Sequence, residues 1–106
     1  MGEAPLQVII SKDAESDLIE LADYWDSAGE PERGDKYVTD LMREAGKLRD
    51  RSLAFAGNHP KDVEDPNVRE IRVFQRVYRI IYRANDVLSR IEVLRFWHSH
   101  RDKPEL

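Results

Sequence analysis

The chain has 106 residues, 36% charged and 41% hydrophobic, with no cysteine and a formal net charge of −4 at pH 7. Disulfides, iron–sulfur clusters and thiolate zinc sites are therefore excluded, and no apolar run approaches the roughly 20 residues of a membrane span. The charge is sided: residues 1–67 hold 8 Lys/Arg against 16 Asp/Glu, a net of −8, whereas residues 68–106 hold 9 against 5, a net of +4.

This length predicts one domain over 1–106, with a loose N-terminal tail at 1–5 and a core that buries roughly 60–70% of the unfolded chain's surface. The first residues, MGEAPLQVII, lack a basic region and a long apolar stretch, so no signal peptide is expected and cytoplasmic residence is the simplest reading. Leu6 to Ile10 is a short strand candidate. Ser11 then suits a helix N-cap, with Asp13 and Glu15 in a first turn that favours anions. Ala14, Leu18, Leu21, Ala22 and Trp25 recur at helical spacing, while Asp17, Glu20, Asp23 and Asp26 fall largely outside that stripe and are expected to face solvent. Ala28-Gly29-Glu30 breaks the helix, and Pro31 suits the start of a second. Tyr37, Leu41, Ala45, Leu48, Ser52 and Phe55 extend that second helix to Gly57, a plausible stop. Two amphipathic helices joined this closely predict an antiparallel hairpin.

The stretch 58–67, NHPKDVEDPN, reads as a polar loop with two prolines. Three strands follow at Val68–Phe74, Val77–Arg83 and Leu88–Trp97. The intervening breaks, Gln75-Arg76 and Ala84-Asn85-Asp86, are short enough to require antiparallel hairpins. Alternation sends Tyr78, Ile80 and Tyr82 one way and Val77, Arg79, Ile81 and Arg83 the other; it also places Ile91, Val93, Arg95 and Trp97 on one side. The fold class is α+β: a β-α-α-β-β-β order in which the helical hairpin packs on one face of a small, twisted, mostly antiparallel sheet. Arginines set into such a sheet suggest a face that meets an anion.

Three quoted pieces, in order, carry a family resemblance. They are Ile10-Ser11-Lys12-Asp13-Ala14-Glu15-Ser16-Asp17-Leu18; Arg69-Glu70-Ile71-Arg72-Val73 with Val77-Tyr78-Arg79-Ile80-Ile81-Tyr82-Arg83; and Ile91 to Asp102, which closes as His98-Ser99-His100-Arg101-Asp102. With Trp25 as an aromatic on the first helix, this pattern resembles the RelE/ParE superfamily of type II toxin–antitoxin toxins. The likeness covers nearly the whole chain. It implies the RelE/ParE-like fold, no cofactor, a cognate antitoxin protein as partner, and contact with operator DNA only through that antitoxin. RelE-like members cut mRNA in the ribosomal A site; ParE-like members, also known as plasmid stabilization proteins, poison DNA gyrase without catalysis.

Metal-free RNA cleavage needs a base for the 2′-hydroxyl, cations for the phosphorane and an acid for the leaving oxygen. On the ribonuclease reading the resemblance assigns Arg72, Arg79 and His98. Glu70 stands where RelE-type members tend to carry lysine, and no tyrosine follows Tyr82, so the C-terminal ending reads as ParE-like and gyrase inhibition is the leading expectation. The ribosome-dependent endoribonuclease and a degenerate, non-toxic co-repressor are the alternatives. Candidate anion- or partner-binding residues are Arg69, Arg72, Arg79, Arg83, Arg95, His98 and Arg101. Against each stands a plain structural role: arginines solvated or paired with acidic neighbours, Tyr78 and Tyr82 in the core, Trp25 and Trp97 as packing, and Arg101-Asp102 as an ion pair pinning the tail.

Overall fold

The computed structural model describes residues 5–101, 104 and 106; the expected tail at 1–5 and the Arg101-Asp102 pair lie partly outside them. The elements are β1 (Gln7–Ile10), α1 (Lys12–Ser27), α2 (Pro31–Gly46), a 3-10 turn (Lys47–Arg49), α3 (Arg51–Ala56), β2 (Val68–Val73), β3 (Tyr78–Asn85) and β4 (Arg90–His98). The sheet order is β1-β4-β3-β2, with β1 parallel to β4 and the other pairs antiparallel. This is the expected α+β arrangement. Among the described residues no helix is long and apolar enough to cross a membrane.

Local chemistry explains the helix boundaries. Ser11 Oγ accepts the Ala14 N–H at 3.1 Å, satisfying one of the donors a helix start leaves open. Pro31 occupies the start of α2. Gly34 lets the two helices approach closely: a Cβ there would lie 3.0 Å from the Trp25 Cβ. Leu18, Leu41, Ala45, Leu48 and Ala54 then meet Ile80, Tyr82, Ile91, Val93 and Phe96 in the main core.

The second helix is not continuous to Gly57. It ends at Gly46, turns, and restarts as α3, whose N-cap Asp50 accepts the Ser52 N–H at 2.9 Å. The interruption resets the helical phase. Ser52, expected on the buried stripe, is therefore exposed, and Ala54 is buried instead. Gly57 does follow α3, but with extended backbone at φ −62°, so its role is space. A Cβ there would meet the Tyr82 hydroxyl oxygen at 2.1 Å. That hydroxyl donates to the Ala54 carbonyl at 2.6 Å, and burial raises its pKa to about 12.

The last strand departs from strict alternation. Ile81 pairs with Arg95 and Tyr82 with Val93, leaving Leu94 as an inserted residue in a β-bulge. A bulge flips the faces beyond it. Ile91 and Val93 therefore join the helix-side core, whereas Trp97 packs on the opposite face with Val63, Val68 and Ile81. Arg95 lies beyond the bulge with Trp97 and does not share a side with Ile91 and Val93.

Candidate functional site

The outer face of the sheet carries Glu70 and Arg72 from β2, Arg79, Ile81 and Arg83 from β3, and Arg95 and Trp97 from β4. The 58–67 segment lies across it. Val63 and Pro60 are buried, so this polar loop is held down by a small apolar cluster of its own. Its carboxylates meet the arginines. Arg79 donates to Asp62 at 2.8 and 3.1 Å and to Glu70 at 2.5 Å. Burial opposes the Arg79 charge, but the Asp62 and Glu70 hydrogen bonds outweigh it and raise the pKa. Arg83 reaches Asp65 at 3.2 Å and Glu92 at 3.1 Å. The Asn67 backbone N–H, then Arg83, hold the Asp65 pKa below the ordinary carboxylate range.

Arg95 binds Asp17 through two hydrogen bonds of 2.7 and 2.8 Å, and that contact raises its pKa. Asp17 also accepts the Phe96 N–H at 3.0 Å. β1 pairs with β4 only as far as Val93, so the rest of that β4 edge would be open. Asp17 covers it from α1. Far from being solvent-facing, Asp17 is buried; its position beside Leu18 on the stripe was the only local hint. Arg69 serves α3, donating to the Phe55 and Gly57 carbonyls at 3.1 and 2.9 Å. Arg101 stacks on Trp97, 4.1 Å from the ring centroid.

Arg72 and Arg79 are cross-strand neighbours, and Glu70 lies 3.4 Å from Arg72. His98 does not join them. It pairs with Tyr78, one register step from the Arg79–Trp97 pair, and therefore points to the other face. There a cleft of about 400 Å³ opens between the helical hairpin and the ends of β3 and β4, lined by Leu21, Trp25, Tyr37, Tyr78, Phe96 and His98 among others. Trp25 stacks on Tyr37 at 5.9 Å, and Tyr78 meets His98 edge to face at 5.2 Å.

The model of the ParE toxin of type II toxin–antitoxin systems, parDE, matches residues 8–103. The chain belongs to the ParE toxin family. No curated protein matches it. Among solved structures it is similar to the chromosomal ParDE system from P. aeruginosa, with a TM-score of 0.69 at 19% identity, covering 88% of this chain and 95% of that one. It is also similar to the RelBE2 toxin–antitoxin complex from Mycobacterium tuberculosis, with a TM-score of 0.64 at 24% identity, covering 89% and 98% respectively. At these identities the two structures speak to the fold.

The aromatic cleft is expected to give this ParE-family chain a pH response. Burial, then His100 and Arg101, lower the His98 pKa from its ordinary 6.5. The unfolded state thus binds more protons below that value, and the contribution present at neutral pH is lost as pH falls through the folded pKa. Thermal melts from pH 7.5 down to about 5.5 are expected to show falling stability, and His98→Gln to flatten that slope. Asp40, held low first by the Lys36 hydrogen bond, and Asp50, held low first by Ser52, lose their contributions only below pH 3.8. An unchanged slope in the variant would mean that another group sets the pH dependence.

Proposed function

We propose that this protein is the toxin of a type II pair, that it arrests growth by binding DNA gyrase in the cytoplasm, and that it does not cut RNA. The observation that carries this reading is the separation of His98 from Arg72 and Arg79 by the sheet itself. An acid or base must reach the proton it transfers, and no single substrate phosphate on one face meets all three groups. Arg79 is further occupied by two carboxylates. The ParE family match supports the toxin assignment, and the choice of gyrase rests on the separation of these groups.

The same reading supplies a neutralising antitoxin, which contacts the operator on the toxin's behalf. The aromatic cleft suits an amphipathic antitoxin segment laid against the helical hairpin, where recessed rings offer apolar contact and Arg101 offers charge. Expression of the full chain without its neighbouring gene tests the proposal. Filamentous cells and SOS induction should precede any fall in protein synthesis, and His98→Ala should remain toxic. Immediate translation arrest abolished by His98→Ala would favour the ribonuclease; no growth defect would leave the co-repressor.

A further inference from the structure

The β2–β3 turn is strained. Phe74, Gln75 and Arg76 all have positive φ, at 55°, 57° and 71°, and the Val77 N–H donates to the Phe74 carbonyl at 3.1 Å. The φ signs at Gln75 and Arg76 are those of a type I′ turn, for which Asn-Gly is the favoured pair. Side chains with a Cβ are disfavoured there, so the surroundings must impose this conformation. Ser99 does so: its hydroxyl donates to the Arg76 carbonyl at 2.5 Å and its N–H donates to the Val77 carbonyl at 2.8 Å. Strain that the fold holds in place collects at binding elements.

What the turn presents is a cation. Arg76 is exposed and has no ion-pair partner among the described residues. It borders a hollow shared with Leu53, Lys61 and Arg72. The hollow's two carboxylates, Asp62 and Glu70, are held by Arg79, so the rim is left positive. Apolar surface lies within it, from Ile71 and from Leu53, which is 49% exposed; Val77, next to Arg76 in the chain but outside the hollow, is 37% exposed.

We infer that the rigid hairpin tip at Arg76, with Lys61, Arg72 and Val77, is the surface by which the toxin grips its target, and that it fits an acidic protein surface. Cations interleaved with apolar side chains match a protein partner better than a bare polyphosphate. This inference rests on the reading of the protein as a gyrase-binding toxin and names the contact.

Inhibition of gyrase supercoiling by the purified full chain tests it. Arg76→Glu should raise the half-inhibitory concentration by about tenfold, and Lys61→Glu combined with it should raise it further. Arg90→Glu, at the far end of β4, should leave it within about twofold. Arg76→Gly should relax the turn, raising the melting temperature while weakening inhibition; this second variant guards against a misfolded first one. Unchanged inhibition by a folded Arg76→Glu protein would overturn the inference. So would binding of a short single-stranded RNA that Arg76→Glu abolishes, because the partner class would then be wrong. If the wild type fails to inhibit gyrase, the gyrase reading fails alone. Growth arrest lost in Arg76→Glu but kept in Arg90→Glu would then support the hairpin contact, and arrest kept in both would overturn it.

Discussion

Asp17→Ala is expected to destabilise the protein by about 3–5 kcal/mol, a large share of the roughly 5–15 kcal/mol typical of a folded domain. Asp17 is 7% exposed and satisfies both the Arg95 guanidinium and the Phe96 backbone N–H. Removing the carboxylate leaves a mostly buried cation and a buried donor without that acceptor. It also removes the carboxylate that covers the β4 edge beyond Val93, where pairing with β1 stops. Denaturant titration of wild type and variant measures the loss. The Asp17→Ala, Arg95→Met pair should recover part of it, because the cation that has lost its carboxylate is then gone as well. A single-variant loss below about 1 kcal/mol would mean that the edge is held by something else.

Arg79→Ala is expected to cost a similar 3–5 kcal/mol or so. The Arg79 side chain is only 7% exposed, and it holds Glu70, itself 10% exposed at the side chain, together with Asp62. Without it, Glu70 keeps only the longer contact to Arg72, and the 58–67 segment loses its main ionic tether. Glu70→Leu combined with Arg79→Met should be milder than either single change. The functional consequence separates two roles. If Arg79 is structural, toxicity of Arg79→Ala should follow its folded fraction and return at a temperature where the variant is folded. A well-folded Arg79→Ala protein without toxicity would give Arg79 a direct part in target action.

Local rules reached those parts of the fold that depend on local chemistry. Ser11 and Pro31 each mark a boundary by their own stereochemistry and stand where that chemistry predicts, whereas Gln75-Arg76 was legible only as the break between two apolar runs, since neither residue favours the positive φ it adopts. The helix break at Gly46–Asp50 was hidden because Leu48 and Phe55 continue the apolar rhythm; the signal was Asp50 placed to cap through Ser52. The bulge at Leu94 has no local signature, and one inserted residue was enough to move Arg95 and Trp97 to the other face.

The arginines were legible as a set, but their partners were not. Asp62 and Asp65 look like ordinary loop acids until the loop folds over the sheet. Asp17 lies 78 residues from Arg95 in sequence, so only the parallel β1–β4 pairing reveals their contact. His98 was grouped with Arg72 and Arg79 by sequence likeness, and a single register step placed it on the opposite face. Sequence showed how much positive charge the sheet carries. Only the three-dimensional arrangement shows how little of it is left for an external anion.

On the proposed function this toxin acts by occupying a protein target, its sheet arginines being largely committed to holding the fold. Mapping mRNA ends on programmed ribosomes incubated with the purified chain tests this most directly. Intact message in the A site is the predicted result; A-site cleavage that disappears in a folded His98→Ala variant would contradict it.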